Sequence, residues 1–309
     1  MIYTVTLNPA LDKTVKVPNL KVDAVNRITE LRSDAGGKGI NVSKVIAKLG
    51  GSSEAVAVLA GNTGKWIEEA LADAGIRMLA YHVEGETRTN LKVIDPENDT
   101  HTDINEPGPK VTDAMLNELL DQLVEQVQKG DIVVLSGSLP AGTDRATYGT
   151  WTRTLRETGA KVYLDADGDA LKHGLEAKPY FTKPNDHELS GLVGRELTDV
   201  KEIAAAAQEL VEKGIEKVLI SMGGEGGLIA TADGAWYAGP VKVPVGSTVG
   251  AGDSVVAAMA YAESNGMGIE DTMRLAMATG AANVMQSGTQ AAERSVVDSL
   301  IDRVELTKL

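Results

Sequence analysis

Cysteine is missing from the 309 residues, and phenylalanine occurs once. The first absence excludes a disulfide framework and any thiolate metal site. The second leaves the core to Ala, Val, Leu and Ile, and with 43% apolar residues there is enough of them for an ordinary globular interior. Long apolar runs are also absent: the longest clear one, Val255 to Ala262, has eight residues, against the roughly 18 a membrane helix needs. The opening Met-Ile-Tyr-Thr-Val-Thr-Leu-Asn-Pro reads as a strand and lacks the basic-then-apolar order of a signal peptide, so a cytoplasmic protein is the default expectation. Basic residues are in deficit, and the net charge of −14 argues against a nucleic-acid binder, whose affinity rests on neutralising phosphates. Repeats, low-complexity tracts and Pro/Gly/Ser linkers are lacking too, which points to one domain over 1–309.

What the chain does have is alternation. Short, nearly all-apolar segments read as strands at 2–7, 55–59, 132–136, 161–165, 180–183, 217–221 and 227–230. Helical periodicity covers 40–49, 65–74, 113–129, 146–157, 203–213, 254–264, 269–285 and 296–304. That pattern predicts an α/β fold with a mostly parallel sheet covered on both faces. In such sheets ligands gather beyond the carboxyl ends of the strands, where the distinctive loops here fall. Two stretches, about 13–34 and 87–106, break the rhythm with strand-like alternation, and they predict a small antiparallel sheet standing off the body as a lid.

Five loops carry the chemistry. Thr248-Val-Gly-Ala-Gly-Asp-Ser254 runs straight into an apolar helix start, so its amides and the helix dipole suit a transferring phosphoryl group. Asp253 there can accept a proton from a substrate hydroxyl or simply cap the helix, and the loop alone does not decide. Ala35-Gly-Gly-Lys-Gly-Ile-Asn-Val42 adds Lys38 to a second nest ahead of an amphipathic helix, or is only a flexible turn. Neither a P-loop nor a dinucleotide G-x-G-x-x-G occurs. Ser221-Met-Gly-Gly-Glu-Gly-Gly227 can wrap a nucleotide or form a tight hairpin. In Thr182-Lys-Pro-Asn-Asp-His-Glu-Leu189, Lys183 can meet phosphate and Asn185 with Glu188 can orient Mg²⁺ through water, or the last two form a capping box. Ser138, in Ser136-Gly-Ser-Leu-Pro-Ala-Gly142, can hydrogen-bond a sugar. Arg27 and Arg88 lie in the lid-like stretches, where a guanidinium can fork onto a phosphate. The four His residues show no metal-ligand spacing.

Singly ambiguous, these loops together resemble the phosphofructokinase B family of ribokinase-like carbohydrate kinases along nearly the whole chain. The residues that carry the resemblance are Thr6-Leu-Asn-Pro-Ala-Leu-Asp12, Gly36-Gly-Lys-Gly-Ile-Asn41, Ser136-Gly-Ser-Leu-Pro140, Lys183-Pro-Asn185 with Glu188, and Thr248-Val-Gly-Ala-Gly-Asp253. The resemblance implies a ribokinase-like three-layer sandwich with a β-sheet lid. It makes Asp253 the catalytic base and the amides of Gly250, Ala251 and Gly252 the hole for the γ-phosphate. Asp12, Arg27, Gly37, Lys38, Asn41, Arg88 and Ser138 become sugar-phosphate contacts. Lys183, Asn185, Ser221, Gly223, Gly224, Glu225, Gly226, Thr248 and Asn283 fall on the ATP side, with Glu188 in a Mg²⁺ shell. A homodimer formed through the lid is also implied, and a requirement for a monovalent cation such as K⁺ stays open.

Within the family, Thr-Leu-Asn-Pro and Gly-Gly-Lys-Gly-Ile-Asn look like the branch acting on ketohexose phosphates. Val25-Asn-Arg27, Thr87-Arg-Thr-Asn-Leu-Lys92 and Asp103-Ile-Asn-Glu-Pro-Gly108 are most similar to bacterial 1-phosphofructokinases. The implied reaction is ATP-dependent phosphorylation of fructose 1-phosphate to fructose 1,6-bisphosphate. Tagatose 6-phosphate and then fructose 6-phosphate stay open as substrates. A non-catalytic sugar-phosphate sensor is the rival from another class; degraded catalytic residues would favour it, and Asp253, Lys38 and the Gly-Ala-Gly loop are intact.

Overall fold

The structure, a computed structural model, describes residues 1–286 and 288–309. Strand β1 (Ile2–Thr6) lies inside a ten-stranded sheet with β4 (Glu54–Ala60), β5 (Arg77–Val83), β8 (Ile132–Ser136), β9 (Lys161–Asp165), β10 (Phe181–Thr182), β11 (Lys217–Ser221), β12 (Gly227–Thr231), β13 (Gly234–Ala238) and β14 (Leu306–Lys308). From β5 through β4, β1, β8, β9 and β10 to β11 every pairing is parallel; β12, β13 and β14 extend that edge antiparallel. Full burial on both faces explains why the central strands read as unbroken apolar runs.

Two helical layers cover the sheet. Helices α1 (Lys38–Lys48), α2 (Gly61–Asp73), α8 (Ala251–Ser264), α9 (Ile269–Val284) and α10 (Arg294–Ile301) pack on one face. Helices α3 (Asp113–Gln126), α4 (Thr147–Glu157), α5 (Gly168–Glu176), α6 (Asp186–Val193) and α7 (Val200–Glu212) cover the other. Side chains of a single strand divide between the layers: Ile132 and Val134 face α8, while Val133 and Leu135 face α3 and α4. Tyr148 and Trp151 of α4 are among the largest fully buried side chains.

A second sheet of four strands has the order β3–β2–β6–β7, from β2 (Ala10–Lys16), β3 (Glu30–Gly36), β6 (Arg88–Asp95) and β7 (Thr100–Asn105). It occupies the two stretches that broke the α/β rhythm, but it is not wholly antiparallel. Its central pair, β2 and β6, is parallel from Ala10↔Arg88 to Lys16↔Ile94. Both strands follow directly on strands of the main sheet that run the same way, β1 and β5, so they pair as they leave it. Strand β2 begins at Ala10, which puts Asp12 on the lid itself.

Periodicity missed five elements. Strand β5 is half-exposed along its length and mixes charge with apolar residues, and β13 and β14 sit at the antiparallel edge. Helices α5 and α6 have nine and eight residues, too few turns for a period to stand out. Strand β10 is also shorter than read: Pro184 offers no N–H to continue the ladder.

Candidate active site

A cleft of about 450 Å³ opens between the carboxyl ends of β1, β8, β9 and β10 and the lid. At its floor is the start of α8. Gly250 holds φ +81°, a left-handed turn that a side chain would strain, and it stands as the N-cap with no side-chain cap bond. Ala251 N is taken by the Thr248 carbonyl, while Gly250, Gly252 and Asp253 line the cleft with the positive end of the helix dipole behind them. Asp253, in that first turn, does not cap the helix. Its Oδ2 instead accepts a 2.8 Å hydrogen bond from Asn41 Nδ2 on α1. The carboxyl is 6% exposed and is pushed up to about 6, first by burial and then by the anion of Asp165; Asn41, Lys38 and Lys183 oppose the shift.

Asp165 is the organising anion of the cleft. It ends β9, is 4% exposed, and lies 3.6 Å from Lys38 Nζ and 3.4 Å from Lys183 Nζ. Burial alone would raise its carboxyl, but the Lys183 and Lys38 ammoniums outweigh that and hold it below the usual range. Lys38 is the first residue of α1 and is held above its ordinary value, chiefly by Asp165. Lys183 also flanks the α8 turn: a Cβ placed on Gly252 would stand 3.1 Å from its Nζ. Two cations thus converge where the α8 amides point.

The opposite wall is the lid. Asp12 on β2 accepts a 2.9 Å hydrogen bond from Asn90 Nδ2 on β6, and burial pushes its carboxyl up. Arg88, the first residue of β6, donates to the carbonyls of Asn8 (3.0 Å) and Pro9, which fixes it over the cleft. Ser138 enters from the loop after β8, within 3.5 Å of Asn8 Nδ2. The sequence expectation therefore meets in one place for Asp12, Gly37, Lys38, Asn41, Arg88, Ser138, Lys183, Gly250, Gly252 and Asp253.

Other expected residues lie elsewhere. Arg27 is exposed in the connection between β2 and β3 and does not line the cleft of its own chain. Asn283 is buried and donates 3.2 Å to the Val249 carbonyl, so it braces the glycine turn instead of facing it. Thr248 is exposed and its carbonyl accepts from Ala251 N, closing the same turn. The segment Ser221–Gly226 is a tight hairpin between β11 and β12 around a short 3₁₀ turn, and Asn185 bridges to Ser221 beside it. That ledge adjoins the cleft through Lys183, two residues before Asn185.

The capping box anticipated at Asn185 is formed: Asn185 Oδ1 accepts from Glu188 N (2.7 Å) and Glu188 Oε2 from Asn185 N (2.9 Å). Among the described residues no group of three or more His, Asp or Glu could hold a metal ion. Glu188, with one oxygen committed to the cap, fits an outer, water-bridged place for Mg²⁺ and not a protein-built cage. Sequence reasoning missed Asp165, Asp167, Asn8, Asn90 and Thr289, all lining the cleft. Asn8 and Asn90 sat inside the quoted motifs, and Asp165 carried a further signal: a carboxylate ending an apolar strand whose carboxyl end opens on a ligand site.

The family model of pfkB family carbohydrate kinases matches residues 5–295. A 1-phosphofructokinase of Bacillus subtilis is 36% identical over 309 residues, covering all of both chains. One of Xanthomonas campestris is 42% identical over 264 residues, 84% of this chain and 83% of that one. Phosphofructokinase-2 of Escherichia coli, solved in complex with substrates and products, superposes with a TM-score of 0.93 at 32% identity, covering 98% and 99% of the two chains. The same protein has been solved with potassium (TM-score 0.92) and as a tetrameric inhibited form (0.90). With a matching family model and full-length relatives, the chain belongs to the pfkB family of carbohydrate kinases, as a phosphotransferase acting on a sugar hydroxyl.

Proposed function

We propose that this protein transfers the γ-phosphoryl group of ATP to the C6 hydroxyl of fructose 1-phosphate, giving fructose 1,6-bisphosphate and ADP. The observation that carries the reading is Asp253: a buried carboxylate, raised to about 6 and aimed by Asn41, at an uncapped helix start in a cation-lined cleft. Near neutral pH it is ionised yet basic enough to take the hydroxyl proton. The new bond forms between the sugar oxygen and the γ-phosphorus as the bond to the bridging oxygen of ADP breaks. The amides of Gly250 and Gly252 and the Lys183 ammonium stabilise the charge on the transferring group, while the Ala251 amide closes the turn that presents them. Lys38 and Arg88 hold the sugar phosphate, while Asp12, Asn41 and Ser138 accept from or donate to its hydroxyls. Lid and glycine turn keep water from competing for the phosphoryl group.

ATP lies over the ledge of Asn185 and Ser221–Gly226 in this reading. Glu188 would hold Mg²⁺ through water, and the ion would supply neutralising charge to the nucleotide phosphates. Potassium enters the proposal from the Escherichia coli neighbour solved with that ion. A homodimer through the lid is proposed on the row of exposed apolar residues there: Val22, Val25, Ile28, Leu31 and Ile104. No helix among the described residues is long and apolar enough to cross a membrane, and the proposed place of action is the cytoplasm.

The substrate names of the relatives select fructose 1-phosphate. ATP consumption compared side by side on fructose 1-phosphate, fructose 6-phosphate and tagatose 6-phosphate tests the choice. The expected kcat/KM is highest for fructose 1-phosphate; a higher value for either other sugar overturns the assignment.

A further inference from the structure

Lys44 lies on α1 one turn after Asn41, with its side chain turned under the lid. Its Nζ donates 2.8 Å to the Ala35 carbonyl on β3. The anions around it are Asp34, Asp12 and Asp253, and Arg32 is the nearby like charge. Asp12 and Asp34 are directly opposite one another in the β2–β3 ladder, an arrangement that repels when both are ionised. Arg32 Nε takes up Asp34 at 2.7 Å. Asp12 has no such partner: Asn90 holds one oxygen, and the other rests against Gly36, where a Cβ would stand 2.1 Å away. The charged groups facing Asp12 are Lys44, Arg88 and Asp34, on three different elements.

Arg88 is turned toward the Asn8 and Pro9 carbonyls, where the substrate's existing phosphate is proposed to bind. That leaves Lys44 as the cation anchored on the Ala35 carbonyl, next to Asp34 in the ladder that faces Asp12. We propose that Lys44 is a positioning residue for this reaction: the counter-charge shared by Asp12 and Asp34 that keeps Asp12 an ionised acceptor for sugar hydroxyls. The inference rests on the sugar-phosphate reading of the cleft. Its physical basis is local. Burial favours the protonated form of Asp12 and the Asp34 carboxylate adds to this; the Asn90 hydrogen bond opposes them first, then the Lys44 ammonium and after it Arg88. A protonated Asp12 would spend its oxygen as a donor and lose the charge that strengthens an acceptor. Lys44 touches no reacting atom; it acts through Asp12.

Three variants separate charge from tether. Lys44→Gln keeps a donor for the Ala35 carbonyl and loses the charge, Lys44→Met loses both, and Lys44→Arg keeps the charge. Each full-length variant is assayed for KM of sugar phosphate and of ATP from pH 6 to 8.5, on whichever ketose phosphate the wild type accepts, with melting followed by circular dichroism. For Lys44→Gln we expect the sugar-phosphate KM to rise on the order of tenfold near pH 7 and further as pH falls, as for a lost charge-assisted contact. The ATP KM should stay within about twofold, and Lys44→Arg should recover most of the loss. A folded Lys44→Gln with the wild-type sugar KM at every pH overturns the proposal, as does an equal, pH-independent rise in both KM values. Should Lys44→Met fail to fold, the Gln and Arg pair still decides. A wild type that prefers tagatose 6-phosphate sinks the substrate assignment but not Lys44, whose ratios are then read on that sugar; inactivity on all three sugars sinks both.

Discussion

Asn41 Nδ2 donates a 2.8 Å hydrogen bond to Asp253 Oδ2 across 212 residues of sequence. The bond joins two glycine-rich loops, each ahead of its own helix, so that α1 aims the carboxylate that begins α8. It also resolves what the sequence left open, because a carboxylate bonded to Asn41 is not capping its own helix.

Asp253→Asn should cut kcat by roughly 10³-fold or more while the Kd for nucleotide, read by calorimetry, changes little. Stability should move the other way. Burial raises the folded-state value from 3.8 to about 6, so the folded protein holds this proton more tightly than the unfolded chain. That contribution is present below about pH 4 and lost as pH rises through 6. At pH 8 the Asn variant should therefore be more stable than wild type, by on the order of 2–3 kcal/mol in denaturant melts, with the gain fading towards pH 4. An Asn variant with wild-type kcat ends the assignment of the base.

Asn41→Ala removes the hydrogen bond that favours the charged carboxylate, so Asp253 should hold its proton to still higher pH. The acid limb of the kcat profile should move above about 6, the wild-type value. Rates at pH 6 should fall several-fold more than rates at pH 8.5, where the base is ionised in both proteins. A profile displaced downward without change of shape would contradict this.

Asp165→Asn should displace the same limb in the opposite direction. Asp165 is the anion that raises Asp253, and without it Asp253 becomes easier to ionise. Its loss also leaves Lys183, 9% exposed at the side chain, without its carboxylate, which should cost about 3 kcal/mol in a denaturant melt. Lower stability with an unmoved pH profile would show that Asp165 matters only as a structural ion pair.

Arg88→Ala should raise KM for the sugar phosphate at least ~10-fold and leave KM for ATP within about twofold, since a half-buried guanidinium fork to phosphate is hard to replace. Equal effects on both substrates would put Arg88 outside the sugar-phosphate site.

Leu31 and Val25 are 61% and 81% exposed on the lid. Charging both, as Leu31→Glu with Val25→Glu, should shift the protein from dimer to monomer in light scattering. A wild type already monomeric at micromolar concentration would remove the proposed dimer.

Much of the architecture was legible because central parallel strands are buried on both faces and leave an apolar signature that needs no partner to be recognised. Strands β8, β9 and β11 fall on the ranges read for them. Edge elements were not legible: β5 and β14 owe their pairing to neighbours distant in sequence, and their own composition is mixed. The parallel join of β2 and β6 belongs to the same class, since register between segments so far apart has no local trace.

The candidate site divides along the same line. The sequence by itself marked the glycine turns before two helices as candidate anion sites, and it singled out Asp253 and Lys38 beside those turns and Arg88 in a lid-like stretch. Only the tertiary structure decided that Asp165 stands between Lys38 and Lys183 and that Asn41 aims Asp253. Those are facts about charge in low dielectric, where an ion's behaviour depends on which others lie within a few ångströms, and folding alone brings such distances about.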